Sequence, residues 1–394
     1  MSTTTIAGER VQPPRTVPPA DRLVVSIVIP CLNEEATIGE CVRSACATLE
    51  RDGIPGEVLG VDNGSTDASA ALATAAGARV ITEHRRGYGN AYLAGFAAAE
   101  GRYLVMADAD LTYDFAEIPR FVAELEDGAD LVMGDRMDNI QPGAMPWLHR
   151  YVGNPVLSRF LNLLYRTGVR DAHCGMRAVR ADALPVLDLR SSGMEFASEM
   201  VIRAAKSDLD IRQFPIDYHP RGGESKLSTF RDGWRHLRFL LVHSPTYLFL
   251  IPGLAMLVLG AIIMAAVLAG VGVAGRTWDL HAMLAGSLLA ILGAQIVMMG
   301  AAGRTFAVYF LDERDATFDR WRGRLRLEHG LLAGGAIGLL GIALCAFVVI
   351  SWAGGGFGAL GEERLVVLGA TLVVIGAQVF FGSFLLSVLG LRRA

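Results

Sequence analysis

Two carboxylates one residue apart, Asp108-Ala109-Asp110, follow directly on the apolar run Tyr103-Leu104-Val105-Met106-Ala107. Residues i and i+2 of an extended segment point the same way, so both acids can face one cation. Oxygen-only donors suit a hard ion such as Mg²⁺ or Mn²⁺, whose other positions would go to water and to a substrate's phosphates. An acidic step at a strand end therefore points to a nucleotide-diphosphate site, although solvated strand ends also carry such pairs.

The elements that would position this step are legible around it. Val24 to Ile29 is a continuous apolar run ending at Pro30, as in a strand buried on both faces. Asn33-Glu34-Glu35 then opens a helix through about Leu49. A second strand, Glu57 to Val61, runs into Asp62-Asn63-Gly64-Ser65-Thr66-Asp67, with a helix from about Ala68. Arg79 to Ile81 reads as a third strand, and a helix from Gly89 to Ala99 leads into the Asp108 strand. This alternation, from Val24 to about Ile216, predicts an open α/β sheet, and such sheets bind ligands at the carboxyl ends of their strands. Pro30, Asp62 and Asp108 all stand at those ends. Gly87-Tyr88-Gly89 is not a dinucleotide fingerprint, because the third glycine position is Tyr92.

The rest of the chain is of another kind. Of 394 residues 52% are hydrophobic, and the mean hydropathy is +0.38. The apolar excess lies in four stretches without charge: Thr246 to Gly275, Ala282 to Gly303, Gly330 to Gly361 and Leu365 to Leu391. Each exceeds the roughly 20 residues that cross a bilayer as a helix. Arg304, Arg314, Arg320, Arg322, Arg324 and Arg326 lie between the second and third stretches, whereas the other two loops carry only Arg276 and Arg364. The chain ends in Arg392-Arg393. The positive-inside rule then puts the N-terminal domain, the central loop and the C-terminus in the cytoplasm, at a cell membrane.

The expected organisation is a disordered leader (1–22), an α/β domain (23–229), an interfacial amphipathic helix (230–245) and a membrane domain (246–394). Its spans fall at about 246–273, 282–303, 331–352 and 366–390, with a cytoplasmic loop over 304–329. Apolar-plus-arginine segments fit an interfacial position: Phe230, Trp234, Leu237 and Leu241 with Arg231, Arg235 and Arg238, and Phe318, Trp321 and Leu325 in the central loop. A similar stripe runs through Trp147, Tyr151, Val156 and Phe160. The leader lacks the apolar core of a signal peptide. Cys31, Cys41, Cys46, Cys174 and Cys345 lack metal-ligand spacing and are expected as free thiols. A net charge of −4 says little about partners, and the chain has no basic stripe suited to nucleic acid.

Pro30-Cys31-Leu32-Asn33-Glu34-Glu35, Val61 to Asp67 and Asp108-Ala109-Asp110-Leu111 together resemble the family 2 glycosyltransferases of GT-A (Rossmann-like) fold. Asp171-Ala172-His173-Cys174-Gly175-Met176-Arg177 and Arg221-Gly222-Gly223-Glu224-Ser225-Lys226-Leu227 resemble their polyprenyl-phosphate branch, the dolichol-phosphate mannose and glucose synthase-like enzymes. The resemblance covers roughly residues 24 to 245, and four spans match members with two pairs of transmembrane helices. It implies a nucleotide-sugar pocket formed by Pro30, Leu32, Glu34, Val61, Asp62, Ala107, Asp108, Ala109, Asp110, Arg136, Arg221 and Lys226. Asp108 and Asp110 would hold Mg²⁺ or Mn²⁺ against the diphosphate. Asp62 would accept from a ring N–H of the base, the other reading being a helix cap, for which Asp67 is better placed. Arg136 matches a sugar-nucleotide contact, against a plain solvated arginine. Arg150 and Asn154 match positions that hold the acceptor phosphate, with Arg150 able to grip it bidentately. Arg221 and Lys226 lie on a loop resembling the family's lid, against a solvated hairpin. Asp171 matches the base position, or serves structurally by bonding Arg177.

Two positions depart from the family's pattern. Thr112 stands where many mannose synthases have Gln, which puts direct metal ligation there in doubt. Asp62-Asn63 replaces two consecutive acids, which would alter base or metal contacts. The implied reaction is an inverting in-line displacement by a lipid phosphate oxygen on the anomeric carbon. Such a nucleophile is already ionised, so positioning and charge stabilisation would dominate, with Arg150 and Asp171 as the residues at the reacting groups. A processive synthase is disfavoured because no Gln-x-x-Arg-Trp occurs. A transporter is disfavoured because the spans hold no ionisable residue, only neutral groups such as Gln295 and Gln378, which fit interhelical bonds. The expected partners are UDP-glucose or GDP-mannose, polyprenyl phosphate and membrane lipids, with homo-oligomerisation left open.

Overall fold

The computed structural model describes residues 23–165, 167–223, 229–242, 244, 246–273, 276–277, 279–310, 327–358 and 361–390. The leader, Lys226 and its neighbours 224–228, the arginines from Arg314 to Arg326, the segment around Trp321 and the C-terminal Arg392-Arg393 lie outside the described residues. The chain falls into two compact units, residues 1–236 and 237–394.

The first unit is built on β1 (Val25–Cys31), α1 (Ile38–Arg51), β2 (Gly56–Asp62), α2 (Ser69–Ala75), β3 (Arg79–Thr82), α3 (Tyr88–Ala98), β4 (Tyr103–Met106), α4 (Ile118–Glu126) and β5 (Leu131–Asp135). It continues through α5 (Asn154–Tyr165), β6 (Arg177–Arg180), the single turn α6 (Leu184–Leu187), α7 (Phe196–Lys206) and β7 (Ile211–Pro215), and the boundary between the units falls within α8 (Thr229–Val242). The strands form one sheet in the order β3-β2-β1-β4-β6-β5-β7. It is parallel except at β6, which runs antiparallel to both β4 and β5. Val25, Ile27, Val28 and Ile29 of β1 are fully buried, as a central parallel strand covered on both faces requires. Helix α1 packs Ile38, Cys41, Val42, Ala45 and Leu49 inward at helical spacing. Helix α3 comes so close to the sheet that a Cβ on Gly95 would stand 2.3 Å from Val28 Cγ1, so only glycine fits there.

In the second unit a π-helical turn, Thr246–Leu250, leads into α9 (Ile251–Leu268). The short strands β8 (Gly272–Val273) and β9 (Arg276–Thr277) follow, then α10 (Leu280–Phe310), α11 (Leu327–Gly354) and α12 (Glu363–Gly390). Among the described residues four helices are long and apolar enough to cross a membrane, the first over Thr246–Leu268. This is a multi-pass membrane protein. The first helix stops at Leu268, short of the expected 273, because Gly270 turns left-handed (φ +66°) and the chain forms a hairpin. The second runs past 303 to Phe310 and so includes Arg304.

Helix α9 packs on α10, α11 on α12, and α10 on α12. Small residues set the separations: a Cβ on Gly260 would lie 2.5 Å from Ala290 N, and one on Gly341 2.5 Å from Gly369 O. Ser287 and Thr371 hydroxyls meet at 2.7 Å between α10 and α12. The expected interhelical bond of Gln378 is not seen at its Oε1, which is buried without a hydrogen-bond partner among the described residues. At one end Arg364 donates to Val267 O and pairs with Asp279 at 3.1 Å, joining three helix ends.

Candidate active site

The strand order reverses between β1 and β4, with β2 and β3 on one side and the rest of the sheet on the other. Such a fork leaves a crevice at the carboxyl ends of the strands. A cavity of about 410 Å³ opens there, lined by Pro30 at the end of β1, Leu32 and Glu34 after it, Asn63 after β2, Gly87 and Tyr88 at α3, and Asp108, Ala109 and Asp110 after β4, with Met194, Arg221 and Arg235. Seven of the residues expected in the nucleotide-sugar pocket (Pro30, Leu32, Glu34, Asp108, Ala109, Asp110 and Arg221) thus meet in one cavity. Val61, Asp62 and Ala107 are buried at the adjoining strand ends.

Two loops are fastened to each other at the mouth of the fork. Asn33 takes a left-handed backbone (φ +53°), and its Oδ1 accepts from Thr66 N at 2.8 Å. Glu34 N donates to Ser69 Oγ (2.8 Å), Glu35 N to Asp67 Oδ2 (3.2 Å), and Ala68 N to Glu35 Oε2 (3.2 Å). These commitments explain why α1 begins at Ile38 and not at Asn33: the residues expected to open the helix bind the 62–69 turn instead. Asp62 accepts from Ser65 N at 3.1 Å within that turn, while Asp67 accepts from Ser69 N and Oγ at the start of α2.

Asn63, the departure from a double acid, uses both ends of its amide. Its Nδ2 donates to Glu83 O and Arg85 O, each at 2.9 Å, and its Oδ1 accepts from Gly87 N at 2.7 Å. A carboxylate there has no donor for the two carbonyls. Thr112 is buried, and its Oγ1 donates to Asp110 Oδ1 at 2.5 Å, with its N–H on the same oxygen at 3.1 Å. It therefore orients an acid of the pair. The strap 219–222 lies alongside: His219 N donates to Thr112 O and Gly222 N to Asp110 O.

Burial, then the charge of Asp110, push the Asp108 carboxyl up to about 7. A carboxylate pair in that state is short of positive charge. Arg221 supplies part of it, reaching Asp110 Oδ2 at 3.5 Å and Glu34 Oε1 at 3.6 Å, while its Nε has no hydrogen-bond partner among the described residues. No group of three or more His, Cys, Asp or Glu side chains that could by themselves hold a metal ion occurs among the described residues. Two carboxylates on a cavity with room for phosphates are the donor set of a Mg²⁺ or Mn²⁺ ion that completes its shell with water and substrate oxygens, so the residues fit such an ion.

Asp171 and Arg136 stand together behind this cavity, away from its lining. Arg136 Nε donates to Asp171 Oδ2 at 2.7 Å and Nη2 to Oδ1 at 3.0 Å, with its backbone N–H on the same carboxylate at 3.3 Å. Both side chains are buried, which excludes a solvated Arg136. Burial acts to raise the Asp171 carboxyl, but the Arg136 charge and hydrogen bonds outweigh it and hold it below the usual carboxylate range. The expected bond from Asp171 to Arg177 is absent. Arg177, fully buried, donates instead to the carbonyls of Cys174, Ala197 and Ala172 at 2.7, 2.6 and 2.8 Å.

Arg150 and Asn154 share a face of the helical segment formed by a π turn, His149–Gly153, and α5, outside the cavity lining. Their ties are slight: Arg150 Nη1 is 3.5 Å from Ile140 O, and Asn154 Nδ2 is 3.5 Å from Met145 Sδ. Trp147, Tyr151 and Val156 beside them are exposed. Tyr88, Asn63, Met194 and Arg235 were not singled out as site residues by sequence. The one available signal for Tyr88 was its place between Gly87 and Gly89.

The chain matches the glycosyl transferase family 2 model over residues 26–187 and the family's C-terminal transmembrane region model over residues 301–390. It is 43% identical over 368 residues to the low-salt glycan biosynthesis hexosyltransferase Agl6 of Haloferax volcanii, spanning 93% of this chain and 89% of that protein. It is 37% identical to a dolichyl-phosphate hexose transferase of the same organism, over 53% of this chain and 89% of that one. An undecaprenyl-phosphate 4-deoxy-4-formamido-L-arabinose transferase of Pseudomonas fluorescens is 33% identical, over 74% of this chain and 86% of its own length. A GT-A-like α/β unit followed by four apolar helices, matched along nearly its whole length by such a relative, makes this chain a member of glycosyltransferase family 2.

Proposed function

We propose that this glycosyltransferase moves a hexose from a nucleotide-diphosphate sugar, UDP-glucose or GDP-mannose, to polyprenyl phosphate, with inversion at the anomeric carbon. The observation that carries the reading is the acidic step Asp108/Asp110 on the cavity at the β1/β4 fork, facing Arg221. The names of the relatives support a polyprenyl-phosphate acceptor. A Mg²⁺ or Mn²⁺ ion held by Asp108 and Asp110 would neutralise the leaving diphosphate.

Pro30, Leu32, Glu34, Val61 and Asp62 form the nucleotide end of the pocket in this reading. Arg221 exchanges its partners Glu34 and Asp110 for phosphate oxygens, and Lys226 follows it. Arg150 and Asn154 hold the acceptor phosphate, the exposed apolar side chains around them facing the lipid chain. Asp171 acts by fixing Arg136 and not as a free base, since its oxygens are occupied. The α/β unit works at the cytoplasmic face of the cell membrane.

Radiolabelled transfer to undecaprenyl or decaprenyl phosphate tests this, with UDP-glucose, GDP-mannose and UDP-N-acetylglucosamine supplied in parallel to the purified protein. Transfer of one sugar, abolished in Asp110→Ala and by a chelator, is the expected result. Nucleotide binding without labelling of any lipid phosphate overturns the acceptor assignment.

A further inference from the structure

Tyr88 is not among the residues that the family resemblance assigns, yet it touches the acidic step directly. Its hydroxyl donates to Asp108 Oδ1 at 3.3 Å, and its ring lines the cavity. A Cβ on Gly175 would stand 2.5 Å from Asp108 Oδ2, so the backbone at 175 closes off the far side of the carboxylate.

The tyrosine is itself held from several directions. Its ring meets Tyr92 edge-on at 4.9 Å, and Tyr92 stacks on Phe196 at 5.8 Å. Tyr92 also donates to Ala107 O at 3.2 Å, so two tyrosines one helical turn apart on α3 grip Asp108 and the residue before it. The start of α3 is packed against the 191–192 backbone. Gly89 N donates to Ser192 O at 3.0 Å, and Cβ atoms on Gly87 and Gly89 would lie 2.2 Å from Ser192 O and 2.0 Å from Ser191 O. Gly87 has φ +142°, a backbone that side-chain-bearing residues rarely adopt.

We propose that Tyr88 is a positioning residue for the metal–diphosphate site, fixing through its hydroxyl the orientation in which the Asp108 carboxylate takes the cation. The inference rests on the donor-site reading above. Carboxylates that ligate metals are held by outer hydrogen bonds, and losing one lowers metal affinity by about 10–100-fold. Tyr88→Phe removes the hydroxyl and keeps the ring that packs on Tyr92, so a residue that only fills space would tolerate it.

The test is Mn²⁺ binding followed by electron paramagnetic resonance, on the full-length protein in detergent with UDP or GDP present. Wild type, Tyr88→Phe, Tyr92→Phe and Asp110→Asn would be compared, with thermal melting as the control for folding. The expected result is Mn²⁺ affinity about 10-fold weaker in Tyr88→Phe at an unchanged melting temperature. Its donor KM should rise while the acceptor KM stays as in wild type. Wild-type Mn²⁺ affinity in Tyr88→Phe, with affinity lost in Asp110→Asn, overturns the role of Tyr88 alone. If Asp110→Asn binds Mn²⁺ as tightly as wild type, the donor-site reading falls and the inference with it.

Discussion

The α/β unit holds two acidic arrangements that differ in how they are partnered. At Asp171 every charge has its partner: Arg136 meets the carboxylate with two side-chain nitrogens and its backbone N–H. At Asp108/Asp110 two acids share a cavity, and the nearest cation, Arg221, reaches only one of them at 3.5 Å. The first carboxyl is held below its usual range and the second pair has Asp108 pushed up to about 7. Burial acts in the same direction on both, so the presence or absence of an arginine fork decides the outcome. The first arrangement is closed on itself, whereas the second keeps its carboxylates on a cavity.

The sharpest way to break this contrast is to remove the fork. Arg136→Met leaves Asp171 buried without a counter-charge and should cost about 3–5 kcal/mol of stability, read as a lower unfolding midpoint. Arg136→Met combined with Asp171→Leu should recover much of that loss, because two apolar groups replace the pair. A double variant no more stable than the single one would show that the pair is not the source. The pH dependence follows the same logic. Because the folded Asp171 carboxyl lies below its unfolded value of 3.8, its contribution is present above that pH and is lost as pH falls through the folded value. It should therefore be flat between about pH 5 and 8, as a melting series would register.

Asp110 invites a subtler change. Thr112→Val keeps the volume and removes the hydroxyl on Asp110 Oδ1, so transfer should fall by about 10-fold with little change in acceptor KM. Unaltered kinetics would mean that the backbone N–H of Thr112 suffices. Asn63→Asp, which restores the family's double acid, loses both donors to the 83–85 carbonyls. It should lower stability by about 1–3 kcal/mol, and an unchanged midpoint would discount that clamp. The smallest effect is expected in the membrane unit, where polar contacts are few. Ser287→Ala should cost about 0.6 kcal/mol, detectable as a slight shift in detergent-induced unfolding.

Much of this was legible in the chain. A central strand buried on both faces has to be a continuous apolar run, so β1 announced itself, and Pro30, Asp62 and Asp108 fell at strand ends by counting. The helix starting at Asn33 was misplaced because Asn and Glu at such a position also serve turns, and only the nearby 62–69 loop decides between the two. The antiparallel β6 is not announced by its sequence, because Arg177-Ala178-Val179-Arg180 has an arginine at each end and no longer apolar run. Its first arginine is buried only because three carbonyls, brought in from Ala172, Cys174 and Ala197, converge on it.

Composition and periodicity by themselves determined the two-part plan, the four long apolar helices and the acidic step, because hydropathy and strand alternation are local properties of a chain. Partners were decided by the tertiary structure alone. That Asp171 belongs to Arg136 and not Arg177, and that Tyr88 reaches Asp108, depend on contacts across 35 and 20 positions of sequence. A hydrogen bond is made or lost over a few tenths of an ångström, and residue spacing does not carry that precision.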